Sequence, residues 1–319
     1  EHEAAGYWGN TVTTVSRALN DAPEIHSETR DKVLRVCREQ GYRANLLARS
    51  LSSSHSNLLG LVVPDMANPF HAALALNIEL CAQEAGYQLM LCSSRRDDQR
   101  LENLFDFLYS QRVDGILLSS AADGAFALAR RCLGQVPCVL LGACPSEDSP
   151  LRANTVSVDN YAGGRMAAEY LHSLGHRNVA YLGHRAGSST HALRHGGFLS
   201  AAAELGMSVE TVSSPFPSST IESGSRLARE FLSGPLSQTA VFAVSDAVAL
   251  GFIQVADELG VAIPDQLSIL GFDGIEYAAL PNIRLTTLSQ NAPRLAQAAV
   301  RLMLELIDGG DQGMYTRTL

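Results

Sequence analysis

The sequence predicts an α/β protein with two parallel sheets, preceded by a small all-α segment. Three observations carry that reading. From about residue 57 onward, short apolar runs alternate with helix-patterned stretches, the pattern of strands joined by crossover helices. The alternation is played through twice, in two blocks of roughly 100 residues or more, each the size of a domain. Ahead of residue 57 the apolar spacing is helical.

Leu58–Val63 (LLGLVV) is an apolar run closed by Pro64-Asp65, a buried strand that meets a loop. His71–Ala85 places Leu74, Ile78, Cys81 and Ala85 on one helical face, and Gly86 stops it. Tyr87–Cys92 is the next strand, Leu101–Gln111 the next helix and Gly115–Ser119 (GILLS) another strand. Pro137–Leu141 (PCVLL) follows a further helix. The second block begins with strand Asn178–Leu182 and helix Ala192–Leu205, closed by Gly206. Strand Ser208–Val212, helix Glu222–Leu232, strand Thr239–Val244, helix Ser245–Leu259 and strand Leu267–Gly271 complete it. Right-handed crossovers between parallel strands then give two Rossmann-like subdomains with a cleft between them.

Ligands of open α/β sheets bind beyond the carboxyl ends of the strands. The segments that matter are therefore Asp65 to Phe70, the stretch from His184, Ser245-Asp246 and Phe272-Asp273. They are rich in Asp, Asn, Ser and Arg with a nearby Phe, which suits a polar ligand with an apolar ring face. Asp246 opens a helix, so capping and ligand contact both remain open for it. No marked helix pattern follows Asp273, which weakens a capping role there.

The leading segment carries two helices. In Thr11–Asn20, Val12, Val15 and Leu19 form an apolar stripe, and Thr13, Ser16, Arg17 and Asn20 form a polar one at i, i+3, i+4 and i+7. Short hydroxyls beside an Arg suit groove reading, with Arg on guanine and hydroxyls on phosphates; an ordinary amphipathic surface helix has the same stripes. Ser27 is a good N-cap for helix Glu28–Gln40, which buries Val33, Leu34 and Cys37 and ends at Gly41. Tyr42 to Leu51 then leads into a polar linker at 52–57. A helix of about six residues there folds only against a partner.

Composition excludes several classes. The 319 residues are 46% hydrophobic with net charge −9, which argues against generic coating of nucleic acid. Residues 1–50 carry seven basic and seven acidic residues, so DNA binding has to be argued from motif. The six Cys (37, 81, 92, 132, 138 and 144) show no CxxC spacing, the usage of free core thiols in a reducing cytoplasm. No apolar run spans a bilayer, and Glu1-His2-Glu3-Ala4-Ala5 lacks the basic and apolar regions of a secretory signal. GxGxxG, GxSxG and GxxxxGK are absent, and Lys32 is the single lysine. No enzyme, metal or cofactor is expected.

Several motifs carry a specific resemblance. Thr13-Thr14-Val15-Ser16-Arg17-Ala18-Leu19-Asn20, Ser27-Glu28-Thr29-Arg30, and Gly41-Tyr42-Arg43-Ala44-Asn45 with Ala48-Arg49-Ser50-Leu51 closely resemble the signature of LacI/GalR transcriptional regulators. The body agrees through Asn68-Pro69-Phe70, Arg112-Val113-Asp114-Gly115, Asp159-Asn160, Gly163-Gly164, Ser245-Asp246, Gly271-Phe272-Asp273 and Leu285-Thr286-Thr287-Leu288. The resemblance implies a helix-turn-helix DNA-binding head at 1–44 and a hinge helix with linker at 45–57. It also implies a type I periplasmic-binding-protein fold, with sensor subdomains at 58–156 plus 288–319 and at 157–287.

By the same resemblance, Val12, Thr13 and Arg17 read bases, and Ser16, Asn20, Ser27 and Thr29 contact phosphates. Asn45, Ala48 and Leu51 belong to the hinge helix, with Leu51 as the apolar wedge at the central base step. A homodimer, or a higher oligomer, reads a pseudo-palindromic double-stranded operator. The effector is a small polar molecule, a sugar or sugar derivative first and a nucleobase or nucleoside next. Its contacts would be Asp65, Asn68, Phe70, Arg194, Ser245, Asp246, Asp273 and Gln290. A solute-binding protein of the same fold without DNA binding is the alternative, but that class carries a secretory signal and no head. Departures from the family are Ala4 to Asn10, which differs from its usual first helix, Ala44 where Pro is usual, a longer loop from Phe216 to Glu222, and an end at Leu319, ahead of the expected final strand.

Overall fold

The computed structural model describes residues 12–19, 24–39, 55–119, 125, 127–129, 135–142, 153–185, 187–216, 219–309 and 315–319. The chain divides into two compact units, Glu1–Ser56 and Asn57–Leu319.

In the first unit, helices α1 (Val12–Leu19) and α2 (Ser27–Glu39) pack on a small core of Val15, Ala18, Val33 and Cys37, with Ile25 against it. Ser27 is the first helical residue, and the His26 carbonyl accepts from the amides of Thr29 and Arg30. The inward face of α2 is Val33, Val36 and Cys37, at i, i+3 and i+4. Leu34, expected inside, is 36% exposed, because the face that meets α1 runs through Val36.

The second unit holds two wholly parallel sheets. The strands of the first are β1 (Leu58–Val63), β2 (Gln88–Ser93), β3 (Gly115–Ser119), β4 (Cys138–Leu141), β5 (Asn154–Ser157) and β11 (Thr316–Thr318). Their order is β11-β5-β4-β3-β1-β2. The second sheet contains β6 (Asn178–His184), β7 (Ser208–Ser213), β8 (Ala240–Ala243), β9 (Ser268–Asp273) and β10 (Thr286–Ser289), in the order β10-β9-β8-β6-β7. Helices α3 (Pro69–Glu84), α4 (Asp98–Ser110), α5 (Asn160–Ser173), α6 (Ser189–Glu204), α7 (Ile221–Leu232), α8 (Asp246–Glu258) and α9 (Ala292–Ile307) cover the sheets, and a 3-10 turn spans Glu276–Ala279. The chain passes between the sheets just after β5 and again just after β10, after which α9 packs on α3 and on β3, β4 and β5.

The central strands read as continuous apolar runs because both faces are covered. All five residues of β3 are buried, and each large aliphatic side chain so buried contributes about 1.5–3 kcal/mol. Strand β11 pairs Thr316–Thr318 with β5, an element the sequence analysis does not assign. Its sequence, Thr-Arg-Thr with one partly buried residue, lacks the apolar signal that marks an interior strand. Strand β5 (Asn-Thr-Val-Ser) escaped the sequence reading for the same reason, although all four residues are buried. No described helix is long and apolar enough to cross a membrane.

Candidate functional site

All parallel strands of a sheet point one way, so the residues that leave their carboxyl ends gather at one rim. A cavity of about 380 Å³ lies between the two rims. From the first sheet's side it is lined by Pro64 after β1, Ser94 and Arg96 after β2, Ser119 in β3, Leu141-Gly142 at β4, and the start of α3. From the second sheet's side come Arg185 after β6, the start of α6 with His191 and Arg194, Val244-Ser245 after β8, Asp273 at the end of β9, and Gln290 after β10.

Helix α3 brings Asn68, Phe70 and His71 to this rim. Asn68 caps it by accepting from the Phe70 amide at 3.0 Å, and Pro69 occupies the first turn, where its missing N–H costs nothing. The Asn68 Nδ2 also donates across the cleft to the Ser219 carbonyl at 3.4 Å. His71 donates from Nδ1 to the Asp65 carbonyl at 2.9 Å. Burial and the Arg96 charge lower its pKa to about 4, so it is neutral at pH 7.

Arg194 is 4% exposed, and its placement follows from glycines. A Cβ on Gly164 would lie 2.0 Å from the Arg194 carbonyl oxygen, and one on Gly197 would lie 2.0 Å from that of Tyr161. Only glycine lets α5 and α6 approach this closely. The close pairing lets Arg194 donate to Asn160 Oδ1 at 2.8 Å and to the Val244 carbonyl, with its guanidinium 3.4 Å from the centre of the Phe272 ring.

Asp273, at the end of β9, stands on the same wall as Arg194. Its φ is +139°, a conformation that costs a non-glycine residue of order 1–3 kcal/mol and that clusters at binding sites. Oδ1 accepts from Gln290 Nε2 at 2.6 Å. Burial and the neighbouring Asp246 push its carboxyl up to about 7, against the pull of Arg194.

Polar atoms left without a protein partner show what the cavity is built for. Of the nine buried side-chain polar atoms without a hydrogen-bond partner among the described residues, four belong to residues that line the cavity: Arg194 Nε, Asp273 Oδ2, His191 Nδ1 and Arg96 Nε. Each such atom costs about 1–3 kcal/mol unless a ligand or solvent satisfies it. Their convergence on one cavity is the signature of a polar ligand site.

Six expected effector contacts line the cavity together: Asn68, Phe70, Arg194, Ser245, Asp273 and Gln290. Two do not. Asp246 accepts from the Gly274 and Ile275 amides at 2.8 and 2.9 Å and from Thr287 Oγ1 at 2.5 Å. With both oxygens engaged and no exposed surface, it pins the end of β9 to β10 and does not line the cavity. Asp65 folds its own loop, accepting from the Ala67 amide at 2.8 Å and facing Arg96 Nε at 3.9 Å.

Arg185, Ser188 and His191 line the cavity from the stretch after His184 that the sequence marks without singling them out, and Arg96 lines it from after β2, a segment the sequence analysis does not mark although it too follows a strand. In the head, Arg17 is exposed and Ser27 and Thr29 lie in the first turn of α2. Val12, Thr13 and Ser16 fall in α1, their side chains outside the description; Asn20, Asn45, Ala48 and Leu51 lie outside the described residues. Cys37, Cys81, Cys92 and Cys138 are free thiols, and no three-residue His/Cys/Asp/Glu metal cluster occurs among the described residues.

A head whose described residues form two helices, and a two-sheet body with a polar inter-sheet cavity, fit the class of ligand-responsive DNA-binding transcriptional regulators. Residues 2–45 match the family of bacterial regulatory proteins of lacI type, and residues 168–319 match a periplasmic binding protein-like domain. The chain is 34% identical to the HTH-type transcriptional regulator DegA of Bacillus subtilis (strain 168) over 293 residues, 91% of this chain and 86% of that one. The chain therefore belongs to the LacI family. It is similar in structure to the transcriptional regulator CelR in complex with cellobiose, with TM-score 0.72 and 27% identity over 99% of this chain and 95% of that one. The lac repressor dimer bound to operator and the anti-inducer ONPF shares the fold, with TM-score 0.86 and 24% identity over 99% and 94% of the two chains.

Proposed function

We propose that the chain is a repressor that binds a pseudo-palindromic operator as a dimer and releases or tightens it when a small polar effector enters the cleft. The observation that carries the effector half is the pairing of two unsatisfied buried atoms, Arg194 Nε and Asp273 Oδ2, in one cavity. A charged group facing ligand hydroxyls forms charge-assisted hydrogen bonds, which suits a sugar or sugar derivative. Phe70 supplies the apolar wall for a ring face. Ligand that bridges the two subdomains favours the closed pair, and by linkage that preference couples to operator affinity.

The proposed division is a head at 1–44, a hinge at 45–57, and sensor subdomains at 58–156 plus 288–319 and at 157–287. Val12, Thr13 and Arg17 read bases; Ser16, Asn20, Ser27 and Thr29 hold phosphates; Asn45, Ala48 and Leu51 serve the hinge. The chain acts in the cytoplasm and turns nothing over. The test is a gel shift of the full chain against operator fragments selected from a random pool, with effector candidates added. Sequence-specific retention that an effector modulates is the expected result, and retention without sequence preference refutes it.

A further inference from the structure

The charges that line the cleft are unequal. Arg96, Arg185 and Arg194 contribute three guanidiniums, and Asp98 and Asp273 contribute two carboxylates. Arg194 and Asp273 are neighbours that offset each other electrostatically. Arg96 and Arg185 belong to opposite subdomains: one follows β2 of the first sheet, the other β6 of the second.

Both lean into the same space. Arg96 Nε is buried without a hydrogen-bond partner and makes a long ion pair of 3.9 Å with Asp65 Oδ2. Burial and the facing Arg185 together lower the Arg96 guanidinium to about 10. Arg185 is itself lowered by burial. His191, in the first turn of α6, feels Arg194, Arg185 and Arg96 at once, is held neutral by burial and by them, and keeps Nδ1 unpaired. Ser188 and Thr190 add hydroxyls at the same corner, 3.1 Å apart, at the amino end of a sixteen-residue helix. A helix amino terminus favours negative charge. Two like charges from opposite subdomains repel as the cleft closes, unless an anion lies between them.

We propose that the effector is an anionic polyol, a phosphorylated or carboxylated sugar, whose anionic group seats between Arg96 and Arg185 while Asp273, Arg194 and Asn68 take its hydroxyls. This rests on the cavity being the effector site. The cavity, about 380 Å³, lies at the small end of the roughly 300–1,000 Å³ range of small-molecule sites, which fits a single charged sugar. The anion then acts as the closing element. It replaces repulsion across the cleft with charge-assisted hydrogen bonds from both walls.

The experiment is a thermal-shift titration of the full chain at fixed ionic strength with inorganic phosphate, glucose 6-phosphate, gluconate and glucose. It is repeated on Arg96→Gln and Arg185→Gln. At least one of the charged sugars raises the melting temperature at concentrations at least tenfold below glucose, and each variant raises the concentration needed at least tenfold. Glucose 6-phosphate with inorganic phosphate, against gluconate, tells a phosphate seat from a carboxylate seat. Sensitivity to the two variants separates seating from general stabilisation by excluded salts. Glucose matching the charged sugars, no response to either charged sugar, or a full response in both variants each overturns the proposal. Operator retention by the unmodified chain is read separately, so the regulator reading and the anion seat fail independently.

Discussion

The Arg194 guanidinium lies 3.4 Å from the centre of the Phe272 ring, fully covered, with Asn160 and the Val244 carbonyl as its acceptors. A desolvated cation on an aromatic face is worth about 2 kcal/mol or more. Arg194→Met keeps most of the apolar stem but leaves Asn160 Oδ1 and the Val244 carbonyl unpaired. The expected outcome is a loss of about 2–4 kcal/mol in chemical denaturation and of all effector response in the gel shift. An unchanged effector response in a folded variant removes Arg194 from the site.

Asp273 yields a pH prediction. Its carboxyl titrates near 7 in the folded chain and near the ordinary value of about 3.9 when unfolded. Between those pH values the folded chain keeps a proton that the unfolded chain releases, so this group's contribution to stability falls as pH rises from about 4 to about 7 and is level above. Asp273→Asn removes that dependence while its amide oxygen still accepts from Gln290. The variant is expected to melt above the unmodified chain at pH 8, with the gap closing towards pH 4, and to bind effector poorly. A gap that stays constant with pH contradicts the assigned proton.

Asp246 behaves differently although it is the same residue type at a similar sequence signal. Asp246→Ala strands two backbone amides and the Thr287 hydroxyl in a buried place. Leaving a buried donor unpaired costs about 1–3 kcal/mol each, so urea denaturation should show a loss well beyond that of Asp65→Ala. Equal losses for the two would refute the pinning role.

Gly164→Ala tests how Arg194 is positioned. The added Cβ meets the Arg194 carbonyl oxygen and the Phe198 amide nitrogen, both backbone, so α5 and α6 have to separate. Overpacking of this kind costs about 1–3 kcal/mol, and here it also moves Arg194. Effector affinity measured by calorimetry should fall by more than tenfold, and an unaltered affinity would show that the helix spacing is not what sets the site.

For the head, Arg17→Ala is expected to weaken specific operator binding by about 1–3 kcal/mol while affecting random DNA less. Competition gel shifts measure both. An equal loss on specific and random DNA would turn Arg17 into a phosphate contact.

Most of the fold was legible in the sequence because strands buried on both faces cannot hide. Leu58–Val63 and Gly115–Ser119 appear as apolar runs with boundaries that match the structure. Strands β5, β10 and β11 were not legible, since their hydroxyl-rich residues give no such run. In the head, the inward stripe of α2 was read one turn-position off at Leu34, because helical spacing allows several stripes and only the packing of α1 selects one.

The sequence by itself determined that two parallel sheets face each other and which short segments leave their strand ends. That follows from periodicity and chain order, which are local properties. It did not determine which side chains in those segments face a ligand. Asp246 and Asp273 both stand at a rim, but Thr287, 41 residues from Asp246, and the Gly274 and Ile275 amides consume the one carboxylate. Gln290 takes a single oxygen of the other and leaves Oδ2 unpaired. The meeting of Arg96 and Arg185 is likewise written nowhere along the chain. Hydrogen-bond supply and charge balance are set by residues distant in sequence and close in space, and only the tertiary structure brings them within reach.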